Sequence, residues 1–76
     1  MNNQDTTRAE KLQISIDETK DEINNFQLVI NGLEKVKPAD NEVKTDIEVL
    51  INKYKKEVEF LEDLQKDDLN TLNKLQ

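Results

Sequence analysis

Seven of the eight positions in the series Ala9, Leu12, Ile16, Thr19, Ile23, Phe26, Ile30 and Leu33 are apolar, and the steps between them alternate between three and four residues. No other feature of the chain constrains its fold as much. The side chains of a strand change face at every residue, so such a series cannot line one side of a strand. On a helix it forms a single stripe, the a/d seam of a coiled coil. The period averages about 3.5 residues, which winds packed helices into a left-handed supercoil. Thr19 is the polar member. A threonine hydroxyl can bond to its own backbone, so Thr19 reads as a tolerated substitution in preference to a register device.

The edges of this helix are marked. Thr7-Arg8-Ala9-Glu10 fits a capping box, with Thr7 as N-cap and Glu10 reaching back. The first helix is expected from about 7 to about 36, behind a flexible N-terminus over 1–6. Gly32 could end it early, but Leu33 and Val36 keep the helical spacing, so continuation is expected. Pro38 forces Lys37 out of helical geometry. The turn therefore falls at about 37–41, and Asp40 or Asn41 can cap the next helix. A second series, Val43, Ile47, Leu50, Ile51, Tyr54, Val58, Leu61, Leu64, Leu69, Leu72 and Leu75, places that second helix at about 41–74.

A short link between two helices makes them antiparallel neighbours. The fold class is therefore all-α: an antiparallel coiled-coil hairpin in a single domain, 7–76. Folding about Pro38 sets Ile30 against Ile47, Phe26 against Ile51, Ile23 against Tyr54, Thr19 against Val58, and Ile16 against Leu61. On that register Leu69, Leu72 and Leu75 face only Arg8, Asp5 and Asn2, so they are left without apolar partners. Either the C-terminus frays or these leucines contact another chain, and the second is the preferred reading. Ile14, Leu28, Val49 and Phe60 also lie off the seam, and the register brings Leu28 near Val49 and Ile14 near Phe60. These seven residues are the candidate contacts to a partner or to a second copy, the latter completing a four-helix bundle.

Composition narrows the function. A chain of 76 residues rarely builds a core worth more than about 3–5 kcal/mol unaided, and without Cys or His it has neither disulfides nor the usual soft metal ligands. Homo-oligomerisation is the remaining support. A net charge of −6 disfavours direct nucleic-acid binding, and Lys53, Lys55 and Lys56 around Tyr54 make a weak basic footprint. No apolar run is long enough for a membrane span, and the first residues lack a signal-peptide pattern, so a cytoplasmic protein is expected. Ser15 has no His to activate it, and one Gly cannot build a phosphate loop, so no enzyme is expected. The acidic groups Asp17-Glu18-Asp21-Glu22 and Glu62-Asp63-Asp67-Asp68 lack the spacing of a calcium loop, and Lys20 and Lys66 among them suit ordinary surface pairing. No metal or cofactor is expected.

A helical rod with apolar residues to spare is expected to act by binding a larger protein, as a small acidic regulatory or inhibitory accessory protein. Ten Lys against one Arg, with frequent Asn and Ile, points to an AT-rich genome and to a phage or mobile-element source, which would place the protein in the host cytoplasm. The alternative is a structural scaffold or assembly protein. Acidic mimicry of DNA is a weaker alternative, because lysines interrupt the negative charge.

Overall fold

In the computed structural model, which describes residues 3–75 and the side chains of 7–75, two helices account for nearly the whole chain. Helix α1 spans Asn3–Glu34 and helix α2 spans Asn41–Leu75. They pack against each other as an antiparallel helical hairpin, with no strand among the described residues.

Helix α1 starts a turn earlier than its capping signal. Residues 3–6 are helical, so Thr7 lies inside α1 and is not its N-cap. Residues 1 and 2, and with them the place of Asn2 opposite Leu75, lie outside the described residues. Asn3, Gln4, Asp5 and Thr6 include no Gly or Pro, so nothing in the local sequence stops the helix from extending. At the other end α1 passes through Gly32, which has no positive φ. It closes on tightened bonds, with the Lys35 amide donating to the Gly32 carbonyl at 3.2 Å and the Val36 amide to that of Leu33 at 3.2 Å. Asp40 caps α2: its Oδ1 accepts from the Val43 amide at 2.9 Å, and its carbonyl accepts the first helical bond from Lys44 at 3.0 Å.

These two ends give a paired prediction of opposite sign. Asp40→Ala leaves the Val43 amide uncapped and should cost about 1 kcal/mol. Gly32→Ala should gain about 0.5–1 kcal/mol, because an added Cβ would meet nothing within 4 Å and the unfolded chain would lose freedom. Urea melts at one protein concentration measure both, and a Gly32→Ala variant less stable than the parent would show that α1 ends before Gly32.

The register differs from the one expected from a tight fold at Pro38. Phe26 stacks on Tyr54, not Ile51, with ring centroids 5.6 Å apart at a tilt of 32°. The Ser15 hydroxyl donates to Asp68 Oδ2 at 3.2 Å, although the tight fold would have set Ser15 beside Glu62. The α2 side of each pair has moved one to two turns toward the C-terminus. The cause is the path of the link. Residues 35–40 are not a tight reversal: Val36 and Pro38 line a notch together with Ile47 and Ile51 of α2. The link therefore climbs along the first turns of α2, which begins beyond the end of α1. The stagger makes the rod 61 Å long, whereas α2 alone accounts for roughly 52 Å at 1.5 Å per residue.

With the shifted register the seam of α2 becomes Ile47, Ile51, Tyr54, Val58, Leu61, Gln65, Asp68, Leu72 and Leu75. This strict alternation of four and three takes in every buried or half-buried position of α2 except Thr71. Leu64 and Leu69, expected on the seam, are exposed. The main apolar cluster joins Ile23 and Ile30 to Val58 and Leu61, with Phe26, Ile51 and Tyr54 packed on it. Nearer the free ends, Ile16 and Leu72 are buried. Between these two regions lie the half-buried polar residues Thr19, Gln65 and Asp68, and Ser15, also half-buried, joins them from beside Ile16. Thr19 satisfies its hydroxyl on the Ser15 carbonyl at 2.8 Å, as expected from the sequence.

Candidate functional site

The stagger removes the reason for singling out all three C-terminal leucines. Leu72 is buried within its own chain, at 6% exposure, and Leu75 is half-buried. The shifted register brings them to the start of α1, where Ala9 and Leu12 are themselves half-buried. They have apolar neighbours in this chain after all. Leu69 remains exposed.

Ile14, Leu28, Val49 and Phe60 are each more than half exposed. The hairpin does not gather them as expected. With the seam residues labelled a and d, Ile14 and Leu28 occupy f positions of α1 and Val49 an f position of α2. An f position points directly away from the partner helix, so Leu28 and Val49 lie on opposite outer edges of the rod. Ile14 and Leu28 do share a face, the outer edge of α1.

The rod also has two broad faces, flanking the seam. In an antiparallel pair the e positions of both helices fall on one of these faces and the g positions on the other. Glu34 and Lys55, both e residues, pair across the first face at 3.8 Å, an exposed ion pair worth about 0–1 kcal/mol. The other described e positions are Gln13, Lys20, Gln27, Asn41, Glu48, Glu62 and Leu69. On the second face Val29, Val43, Leu50 and Leu64 occupy g positions, and Phe60 sits beside them at c. All five are exposed. Sequence reasoning missed this face because it assigned Val43, Leu50 and Leu64 to the seam. The strict alternation through Gln65 and Asp68 was the signal that separates them.

Among the described residues, six hydrophobic side chains are buried and ten large ones are exposed, and no side chain is fully enclosed. Two concavities on the rod's surface are open. The notch at the turn, about 250 Å³, is lined by Leu33, Val36, Pro38, Ile47 and Ile51, with Glu34, Lys44 and Glu48 at its rim. A hollow of about 450 Å³ lies on α1 beside Glu22, Asn25, Phe26 and Val29. Among the described residues no group of three or more acidic side chains is placed to hold a metal ion, and no helix is long and apolar enough to cross a membrane.

No family model matches the sequence, and neither a curated protein nor a solved structure is found to be similar to it.

Proposed function

We propose that this chain is a small protein-binding module, a regulatory or inhibitory accessory protein that acts by laying a helical face on a larger protein and without catalysis of its own. One observation carries the reading: among the described residues, ten large apolar side chains remain exposed once the seam is packed. An isolated exposed Leu or Val needs no explanation, but apolar residues repeated along one helical edge mark a contact surface. Ile14 and Leu28 repeat in that way on the outer edge of α1, 58% and 68% exposed. The non-catalytic part of the reading is supported by Ser15, whose hydroxyl is engaged by Asp68 with no imidazole or thiol anywhere in the sequence. A cytoplasmic setting, the host cytoplasm for a phage-encoded chain, accords with this role.

The second reading, a structural spacer or assembly protein, is favoured by the shape alone, a rod of 61 × 14 × 12 Å. The two readings separate by stoichiometry. The purified chain, immobilised and exposed to host extract, should retain one protein in a fixed ratio, released by free chain in solution. The Ile14→Gln, Leu28→Gln double variant should lose that capture at least about 30-fold while remaining helical, because both side chains are exposed in the hairpin. An assembly that grows without a defined size would favour the spacer. Equal capture by parent and variant would remove the outer edge of α1 from the contact.

A further inference from the structure

We infer that a second copy of this chain docks on the broad face carrying Val29, Val43, Leu50, Phe60 and Leu64, so that two hairpins close into a four-helix bundle. The inference rests on the reading of the exposed apolar surface as a docking surface, and it assigns one part of that surface to self-association.

The two broad faces of the rod differ in kind. The face with the Glu34–Lys55 ion pair carries one large apolar side chain on its helices, Leu69, and the other carries five. Along α2 these run from Val43 to Leu64, about 30 Å of helix at 1.5 Å per residue. On α1, Val29 lies beside the half-buried Phe26 at the hollow that Glu22 and Asn25 also line. A helical face of this kind, off the seam yet apolar, is the extra stripe by which helices of a bundle exceed a two-stranded coil.

Charge selects the occupant. A two-fold contact sets a face against itself, so any net charge on that face meets its own sign. On the g and c positions that make the apolar face, four basic side chains nearly balance five acidic ones. On the e, b and f positions four basic side chains stand against nine acidic ones. The apolar face can therefore meet its own copy with opposite charges available at the rim. The acidic remainder is suited to a basic partner and repels a second copy.

The area available is that of a dimer contact. The rod is 61 Å long and 14 Å across, so one broad face offers a footprint of roughly 850 Å², close to the approximately 800 Å² per partner of a standard stable interface. Its apolar centre and charged margins follow the usual arrangement of an interface core and rim. A chain with no disulfide and no fully enclosed side chain among its described residues lacks other means of support, and an identical copy is always present at matching concentration.

Sedimentation equilibrium of the full chain should give twice its 8.9 kDa mass. Phe60→Glu with Leu64→Glu, both exposed in the single hairpin, should weaken self-association on the order of 100-fold or more. Ile14→Glu with Leu28→Glu, on the outer edge, should leave it unchanged. Should the first pair fail to fold, thiol labelling gives an independent answer, since the chain has no cysteine of its own. Leu50→Cys should react more slowly with a thiol reagent as protein concentration rises, and Ile14→Cys should not. A folded parent that sediments as a monomer, a dimer broken by the outer-edge pair, or a Leu50→Cys labelling rate independent of concentration would each overturn the inference. A monomeric parent or a concentration-independent labelling rate would leave partner capture through Ile14 and Leu28 intact, so failure here is distinct from failure of the binding role, whereas a dimer broken by the outer-edge pair would give that edge to the second copy instead.

Discussion

Ile23→Asp should abolish the helical circular-dichroism signal at micromolar concentration. Ile23 is 8% exposed and lies in the cluster with Ile30, Val58 and Leu61. A carboxylate there has no partner, and an unpaired buried charge costs about 3–5 kcal/mol. That equals the whole stability expected of a core in a chain of this size. Leu61→Asp should act alike, because Leu61 belongs to the same cluster from the other helix. Ile51→Asp should be milder: the stagger leaves Ile51 half-buried, so part of the new charge stays in water. Glu18→Ala, at an exposed position, should shift the melt by no more than about 0.5 kcal/mol. Equal losses from Ile23→Asp and Glu18→Ala would show that the seam is misplaced. All four need comparison at one protein concentration, since self-association raises apparent stability with concentration.

The second large effect runs the other way. Gln65 and Asp68 hold seam positions that heptad spacing would fill with apolar residues. Gln65→Leu with Asp68→Leu should raise the melting temperature by roughly 10 °C. Full burial of a leucine is worth about 1.5–3 kcal/mol, and half-buried sites realise part of that. About 2 kcal/mol in total corresponds to that shift in a domain of this size. The Ser15 hydroxyl loses its acceptor, but Thr19 illustrates the remedy, a bond to the carbonyl four residues earlier. The gain should come with lost specificity. A seam apolar at every position accepts shifts along its length, whereas one polar layer admits one alignment. Broadened or doubled amide resonances in the variant would register this. An unchanged or lower melting temperature would place Gln65 and Asp68 outside the seam.

The helical hairpin was legible because α1 carries its seam almost without interruption and Pro38 has one structural consequence, a break. The register was not legible. It depends on whether the link turns back at once or climbs along α2, and a heptad pattern is satisfied by either path because it repeats every seven residues. Apart from Val43 and Leu50, which are exposed, the seam of α2 was legible as far as Leu61. Beyond it, following the leucines leads through Leu64 and Leu69, but a helix keeps its period whatever residues it carries, and the interface passes through Gln65 and Asp68. Assigning Val43, Leu50 and Leu64 to the seam concealed the apolar broad face, and the tight-fold register made Leu72 a surplus residue. For the outer residues, the exposure of Ile14, Leu28, Val49 and Phe60 is visible in their off-seam positions. So is their separation onto different edges once the seam is labelled, because the f positions of Ile14, Leu28 and Val49 face away from the partner helix whatever the register.

The polar layer has a consequence for how the rod comes apart. It divides the interface into two stretches in series, one from Ile23 and Leu61 to the turn, the other around Ile16 and Leu72. The turn-side stretch is closed by a short link, so its chain entropy on pairing is small. The outer stretch is joined across the longest sequence separation in the molecule and holds fewer buried side chains. Opening it exposes Ile16 and Leu72 but leaves the main cluster assembled. Such an opening takes less free energy than complete unfolding, so the rod behaves as a pair of tongs hinged at Thr19 and Gln65, with jaws that part before the handle melts.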